Sequence, residues 1–226
     1  MAHHGKKYRA GAKLIDRTKT YTVEEAVGML QKLPKAKYDE TVEVSLKLGI
    51  DPKKADQLIR GSISLPNGIG KELKVVVFAE GAKAEEARAA GALEVGAADL
   101  ATKVAGGWTD FDVAIASPDM MKHVGKLGKV LGPQGKMPTP KAGTVTNDIA
   151  AAVKEFKAGK IEFRNDDGGN VAAPMGKRSF TQEKLKQNID AFIEHINAMR
   201  PSAAKGSFMM RAALSATHSP GIPLKV

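Results

Sequence analysis

The sequence predicts an α+β domain formed by both ends of the chain, with a three-layer α/β, Rossmann-like domain inserted between them. Over 41–49, and again after Gly159, polar and apolar residues alternate as in half-exposed antiparallel strands. Segment 74–79 instead carries the longest strongly apolar run of the chain, which is typical of a strand covered on both faces. The predicted domains are therefore 1–67 with 160–226, and an insertion over 68–159.

The N-terminal part is predicted to contain an arm, one helix and two strands. Basic and polar residues over 1–19 predict a mobile arm. Thr22 and Glu25 form a capping-box pair in which each side chain accepts the other residue's backbone N–H, and Pro34 ends the helix that starts there. The two alternating strands that follow cover 41–49 and 59–65.

The middle of the chain is predicted to alternate buried strands with helices. Strands are expected over 74–79 and 111–116, and helices over 83–90, 120–130 and 148–157. Strands separated by helices in this order predict a small three-layer α/β unit.

The last part of the chain returns to the alternating pattern. Its predicted elements are a strand over 160–164, a Gly-rich turn over 166–170 and a hairpin partner for that strand over 171–173. An amphipathic helix over 180–200 and a final strand over 207–217 follow. Ser219-Pro220-Gly221 is predicted to end the ordered chain.

Composition limits the function classes. The 226 residues include no Cys, which excludes disulfides, iron–sulfur clusters, zinc knuckles and cysteine nucleophiles. Of the net charge of +10, residues 1–70 carry +5 and residues 159–226 carry +4. This segregation favours a polyanionic partner for the two ends, although ordinary solvated lysines also explain a basic chain. No stretch approaches the roughly 18 apolar residues of a membrane span, so no membrane partner is expected.

Nucleotide-enzyme motifs are missing from the predicted insertion. No Gly-x-Gly-x-x-Gly follows segment 74–79, and Gly135-Lys136 precedes Met137 rather than Ser or Thr. A phosphate loop needs such glycines for close backbone approach and the hydroxyl for magnesium. No cofactor and no metal are expected, because the pair His3-His4 has no further ligand near it in sequence.

Two Gly-x-x-Gly tetrads, 125–128 and 132–135, lie among lysines. Such tetrads clamp a nucleic-acid backbone in some domains, but the pattern is common in tight turns. The lysines nevertheless give a candidate secondary RNA contact, formed by Lys126, Lys129, Lys136 and Lys141.

Residue types suited to RNA cluster in the two terminal segments. Tyr38 follows Lys35 and Lys37 directly before a strand, and Arg60 is expected to face out of its strand. Further candidates stand at strand ends or on the last strand: Arg164, Asp166, Lys205, Ser207, Arg211, Ser215 and Thr217. Cations hold phosphates, aromatic rings stack on bases, and hydroxyls reach 2′-hydroxyl groups. The same pattern fits a polar sheet face in solvent, and residue types alone do not separate the two interpretations.

Longer motifs resemble the bacterial ribosomal L-one family, the stalk proteins of the large subunit. The central motif reads GKVLGPQGKMP over 128–138. The matching segments run in the same order over nearly the whole chain, at 38–43, 48–57, 60–61, 65–68, 128–138, 141–145, 161–166 and 201–206. The resemblance implies the two-domain fold predicted above and implies no catalysis.

The resemblance also implies partners and a site. The family binds the stalk region of 23S rRNA, contacts tRNA leaving through the exit site, and represses translation by binding its own operon mRNA. Its RNA site carries over to Lys37, Tyr38, Glu40, Arg164, Asp166, Ser215 and Thr217. The expected protein is cytoplasmic, bound to the large ribosomal subunit, and a monomer off the ribosome.

The chain departs from the family pattern inside this site. Tyr38 stands where the family usually has Phe, and the family's Thr-Met-Gly reads Thr217-His218-Ser219. Ser219 adds a side chain where Gly lets a backbone approach RNA closely, and the His218 imidazole offers stacking or a bond to phosphate. RNA binding is expected to persist with altered geometry.

Two alternative functions follow from the residues. One is a nucleotide-dependent enzyme built on the insertion, which the missing phosphate-loop motifs count against. The other is a general RNA-binding module that is not part of the ribosome, and the collinear motif match counts against it.

Overall fold

In the computed structural model, which describes residues 4–225, the chain forms two units. One unit consists of the two ends of the described chain, up to Gly70 and from Ile161 onwards. The other unit is Lys71–Lys160. The elements of each unit are numbered below in chain order.

The terminal unit is built on a four-stranded sheet in the order β7-β1-β8-β9. Its strands are β1 Thr41–Leu48, β7 Asn170–Lys177, β8 Met209–Ala216 and β9 Ile222–Leu224. All three pairings are antiparallel, and β1 lies between β7 and β8. The alternation predicted for β1 is confirmed, because Val42, Val44, Leu46 and Leu48 are buried.

Helices cover the apolar face of this sheet. The helices of the unit are α1 Lys6–Ala12, α2 Val23–Lys32 and α8 Gln182–Ala198. The capping box is confirmed: the Glu25 N–H donates to Thr22 Oγ1 at 3.3 Å, and the Thr22 N–H donates to Glu25 Oε2 at 2.9 Å. Helices α2 and α8 pack against each other, and the predicted stripe of α8 supplies Leu185, Ile189, Phe192 and Ile196 to the core.

A separate two-stranded sheet pairs β2 Arg60–Ser64 with β6 Lys160–Arg164. The predicted hairpin between 160–164 and 171–173 is therefore wrong. An isolated bridge joins Asn165, the residue after β6, to Val171, and the two strands belong to different sheets. β7 pairs with β1 instead, and this pairing buries Val171, Ala173 and Met175 on the core side of the larger sheet.

The middle unit contains a parallel sheet in the order β4-β3-β5, with helices on both faces. Its elements are β3 Val75–Phe78, α3 Ala82–Ala89, β4 Glu94–Gly96, α4 Ala98–Ala105, β5 Val113–Ala116, α5 Met121–Val124, α6 Gly128–Leu131 and α7 Ile149–Ala158. Val75 and Val77 pack with residues of α3 and α7, whereas Val76 and Phe78 pack with residues of α4, α5 and α6. The strand at 74–79 is thus covered on both faces, as predicted.

Two predictions for this unit need correction. Strand β4 and helix α4 were not expected, because β4 has only three residues and no alternating pattern. The single helix predicted over 120–130 is divided into α5, a 3₁₀ turn over Gly125–Leu127, and α6. Glycine has a low helix propensity, so Gly125 and Gly128 favour this interruption.

The ends of the chain are more ordered than the sequence suggested. The arm predicted over 1–19 contains helix α1, and Gly11 and Ile15 are buried in the terminal unit. A Cβ at Gly11 would lie 3.3 Å from Pro220, so the helix packs closely there. Met1–His3 lie outside the described residues. Order does not end at Ser219-Pro220-Gly221 either, since β9 follows and pairs with β8.

Within residues 4–225, no helix combines the length and the apolarity that a bilayer crossing requires.

Candidate nucleic-acid interface

Most candidate residues of the terminal segments lie in loops at the two ends of the four-stranded sheet, and Ser215 lies on its outward face. On β1 this face presents Thr41, Glu43, Ser45 and Lys47, which alternate with the buried valines and leucines. Neighbouring positions on β7 and β8 are small: Ala172 and Ala213 pair with Ser45, and Ser215 pairs with Glu43. Because these side chains are short, a ligand can approach the sheet closely around Ser45.

One end of this face brings together two predicted segments that are far apart in sequence. Lys37, Tyr38, Thr217, His218 and Ser219 line the same open groove of about 700 Å³, together with residues 4–8 at the start of α1. The Thr217 N–H donates to Thr41 O at 3.1 Å, and Thr217 Oγ1 accepts from the Thr41 N–H at 3.2 Å. These bonds hold Thr217 beside the loop that carries Tyr38. We call this region the aromatic end.

The two aromatic rings at this end contact each other. Tyr38 is 54% exposed, and its ring centroid lies 5.8 Å from that of His218 with the planes at 73°. Such an edge-to-face contact is a favoured geometry for aromatic pairs. Two of the three residues that depart from the family pattern, Tyr38 and His218, thus contact each other, and a large part of the Tyr38 ring is left free for stacking.

Ser219 is accommodated by the turn in which it stands. Its Oγ accepts from the Ala216 N–H at 2.7 Å and donates to Pro220 O at 3.1 Å. No non-glycine residue in 4–225 has a positive φ, so the position does not require glycine for its backbone conformation. The added hydroxyl therefore serves the turn after β8.

The opposite end of the face is shaped by the turn at Asp166. Asp166 Oδ1 accepts from the backbone N–H groups of Gly168 and Asn170, at 2.8 and 2.7 Å. The Asn170 side-chain amide donates to Oδ2 at 2.8 Å. These bonds hold the pKa of Asp166 below its usual value, and the bond from the Asn170 side-chain amide has the largest effect. The positive charge of Lys47 acts in the same direction. Asp166 therefore remains ionised and orders the turn.

Lys205 and Ser207 lie at this same end, which we call the turn end. Both are exposed in the segment that leads into β8, and the Gly49 N–H after β1 donates to Phe208 O at 2.7 Å. The Ser207 hydroxyl donates to Met209 O at 3.1 Å. Arg164, at the end of β6, is also exposed. Ser215 lies between the two ends and is half-buried on β8.

Glu40 does not belong to this surface. It is 1% exposed, and its Oε2 lies 2.5 Å from Nη1 of Arg178, which is also buried. A carboxylate in this position holds the loop before β1 but offers nothing to a ligand outside. The exposed carboxylate on the sheet face is Glu43. Sequence reasoning did not assign Glu43, although the alternation of β1 already placed it on the polar side.

Arg60 is also not free at the sheet face. It lies on β2, and its Nε and Nη2 donate to Glu162 Oε1 at 3.0 and 2.7 Å. The Arg60 side chain is half-exposed, as expected for a residue facing out of its strand, but this ion pair already engages two of its three nitrogens.

In the middle unit, Lys126, Lys129 and Lys141 are exposed, whereas Lys136 is not available. The Lys136 ammonium donates to Thr109 O at 2.8 Å and lies 5.2 Å from the centroid of the Phe111 ring. These contacts fix the side chain within the unit. The candidate secondary contact is thus reduced from four lysines to three.

Comparison with known proteins agrees with the motif resemblance. Residues 30–220 match the model of the Ribosomal protein L1p/L10e family. The chain is 54% identical over 224 residues to the large ribosomal subunit protein uL1 of Kosmotoga olearia, covering 99% of this chain and 97% of that protein. It is 56% identical over 223 residues to the protein of the same name from Thermosipho melanesiensis, covering 98% and 96%.

The protein of that name from Protochlamydia amoebophila is 54% identical over 224 residues, covering 99% of this chain and 95% of that protein. The similarity is therefore spread over both units, as the order of the matching motifs predicts. The chain belongs to the Ribosomal protein L1p/L10e family, and it is a ribosomal protein rather than an enzyme.

Proposed function

We propose that this chain is a structural protein of the large ribosomal subunit that binds the stalk region of 23S rRNA through the outward face of its four-stranded sheet. The observation that carries the proposal is the aromatic end, where Tyr38 lines one groove with Thr217 and His218, although more than 170 residues separate it from them in sequence. Its location would be the cytoplasm, bound to ribosomes.

The two units have different roles in this proposal. The ends of the chain, 1–67 and 160–226, form the rRNA-binding α+β domain, and 68–159 form an inserted Rossmann-like α/β domain. Lys126, Lys129 and Lys141 of the insertion are exposed and supply secondary phosphate contacts. The absence of phosphate-loop motifs from this α/β sequence agrees with such a non-catalytic role.

The chemistry of the face suits folded RNA better than duplex DNA. The major groove of an RNA helix is closed to side chains, so recognition uses shape, 2′-hydroxyl groups, phosphates and unstacked bases. Tyr38 offers a ring for stacking, the Ser215 and Thr217 hydroxyls offer partners for ribose, and Lys37 and Lys205 offer cations for phosphate. The short side chains between the two ends let the RNA backbone lie close to the sheet.

The proposal includes two further partners, of which the mRNA would use the same surface as rRNA. An operon mRNA segment that copies the shape of the rRNA site would bind the same face and would therefore compete with rRNA. Exit-site tRNA would meet the protein as part of the assembled stalk. Off the ribosome we expect a monomer.

The test is binding of the purified protein to the stalk fragment of 23S rRNA over a salt series, beside an unrelated structured RNA. A fitted site retains affinity for the fragment at physiological salt while the control RNA dissociates, because only the control depends wholly on counterion release. Equal affinities and equal salt slopes for both RNAs would contradict the proposal. Co-sedimentation with large subunits then separates a ribosomal protein from a general RNA-binding module.

Thr217→Ala provides the matching variant. We expect it to weaken binding to the stalk fragment more than Lys129→Gln in the middle unit, because desolvated hydroxyl contacts in a fitted surface outweigh peripheral phosphate contacts. Thr217→Ser keeps the hydroxyl and should retain most of the affinity. Equal losses from Thr217→Ala and Lys129→Gln would place the specific site elsewhere.

A further inference from the structure

A second groove lies on the same sheet face, toward β9. It encloses about 890 Å³, and its floor is formed largely by small or apolar residues of β7, β8 and β9. Four cations line it: Arg17, Lys47, Arg211 and Lys225. The one carboxylate in the lining, Asp166, is already bound to the N–H groups of its own turn.

Three of these cations form a row across neighbouring strands. Lys47 of β1 pairs directly with Arg211 of β8. The β8–β9 register pairs Ala212 with Leu224, and continuing it by one residue places Arg211 opposite Lys225. All three residues line this groove. Leu46 and Leu48 on either side of Lys47 are buried, and so are Ala212 beside Arg211 and Leu224 beside Lys225. We call Lys47, Arg211 and Lys225 the cationic row.

Such a row is unfavourable for the isolated fold. Adjacent strands lie about 4.8 Å apart, and like charges directly opposite each other destabilise a sheet. The Lys47 ammonium donates to Gly168 O, but within residues 4–225 neither Arg211 nor Lys225 forms an ion pair. A ligand with closely spaced negative charges removes this repulsion, and a nucleic-acid backbone has that spacing.

We propose that the cationic row binds RNA phosphates, so that the RNA extends sideways over β9 in addition to following β1 and β8. The proposal rests on RNA as the proposed ligand of this face and adds a second contact line across the strands. The geometry favours a backbone over a base at this place: the row offers ammonium and guanidinium groups, whereas the aromatic end offers the ring for stacking.

The test compares Lys225→Gln with Lys32→Gln. Lys32 is an exposed residue at the end of α2, so the two variants lose the same charge and differ only in its position. Binding is measured over a salt series with the stalk fragment and with an unrelated RNA hairpin. The slope of log K against log salt is negative, and one lost phosphate contact makes it less steep by about 0.7 to 0.9. We expect this change for Lys225→Gln with both RNAs, about twice as much for Arg211→Gln/Lys225→Gln, and no change for Lys32→Gln.

The outcomes separate this proposal from the proposed function. If the wild type prefers the stalk fragment but Lys225→Gln and Lys32→Gln give the same slope, the row does not bind phosphate and the rRNA site stands. If the wild type binds both RNAs equally but Lys225→Gln still makes both salt slopes less steep, the cationic row binds phosphate and the proposal of a specific stalk site fails. A wild type that binds neither RNA overturns both. Thermal unfolding provides a folding control, because removal of Lys225 relieves repulsion and should leave the melting temperature equal or higher.

Discussion

The buried pair of Glu40 and Arg178 is expected to control the stability of the terminal unit. The Arg178 guanidinium donates to Glu40 Oε2 at 2.5 Å, to Leu30 O at 2.7 Å and to Leu33 O at 2.6 Å. The two side chains are 4% and 0% exposed. Arg178 thus satisfies carbonyls at the end of α2 and at the same time neutralises a carboxylate that water does not reach.

Replacing Arg178 by Met removes the charge and every one of these hydrogen bonds. At an effective dielectric constant of 20, two charges 4 Å apart attract each other by about 4 kcal/mol. Removing one partner of a buried pair typically costs about 3 to 5 kcal/mol, because the other charge stays buried without compensation. We expect a loss in this range for Arg178→Met. The double variant Glu40→Met/Arg178→Met should lose less than the two single variants together, with a coupling of about 0.5 to 3 kcal/mol.

The assay has to report on the correct unit. The single tryptophan, Trp108, lies in Lys71–Lys160, so its fluorescence does not follow unfolding of the terminal unit. Hydrogen exchange of the β1 amides, read by mass spectrometry over a urea series, reports on the terminal unit directly. Lys186→Met breaks the exposed pair with Glu24 and serves as the control, with no resolvable change expected. A loss below about 1 kcal/mol for Arg178→Met, or strict additivity in the double variant, would refute this reasoning.

Three further predictions concern single groups. Lowering the pH from 5 to 2 should loosen the turn at Asp166: its pKa is lower in the folded protein, so the carboxylate stabilises the fold above pH 3.8 and this contribution is lost as the pH falls through the folded pKa. The protection factor of the Asn170 backbone N–H, which corrects for the pH dependence of intrinsic exchange, should fall over that interval, and an unchanged protection factor would contradict the assignment. Asn188→Ala should cost about 2 to 4 kcal/mol, because the buried amide of Asn188 donates to two backbone carbonyls at 2.9 and 2.8 Å; urea unfolding followed by circular dichroism checks it. Ser219→Ala should cost about 0.5 to 1.5 kcal/mol by leaving the Ala216 N–H without its acceptor, and an unchanged melting temperature would show that water replaces the hydroxyl.

Elements with a local signal were predictable from the sequence. The capping box at Thr22 starts α2, the alternation over 41–49 forms β1, and Gly159 ends α7 with a positive φ of 113°. In each case the information lies within a few residues of the element. Strand pairing has no such signal, which explains the wrong hairpin at 171–173 and the missing β9.

The candidate site was predictable only in part, for the same reason. Tyr38 and Thr217 line one groove as residue types and resemblance suggested, but Glu40 and Glu43 could not be told apart by residue type. What removes Glu40 from the surface is Arg178, which lies 138 residues away in sequence. Burial of a charge thus depends on tertiary partners that a local pattern does not contain.

The position of β1 at the centre of its sheet bears on how the protein is made. Both neighbours of β1 are synthesised late: β7 begins at Asn170 and β8 at Met209, about 160 residues after β1 ends. At a synthesis rate of about 5 to 20 residues per second, the apolar side of β1 stays without both partner strands for roughly 8 to 30 seconds. Lys71–Lys160, in contrast, is contiguous in sequence, and all of it is synthesised before β7 begins.

A chain that stops before residue 209 therefore has no four-stranded sheet, and neither the aromatic end nor the cationic row exists in it. The nascent chain exposes an unpaired apolar strand during this interval, which makes it a natural client for chaperones. If this face binds RNA as proposed, truncated products cannot compete with the complete protein for it, since the face assembles only after the last strands leave the exit tunnel.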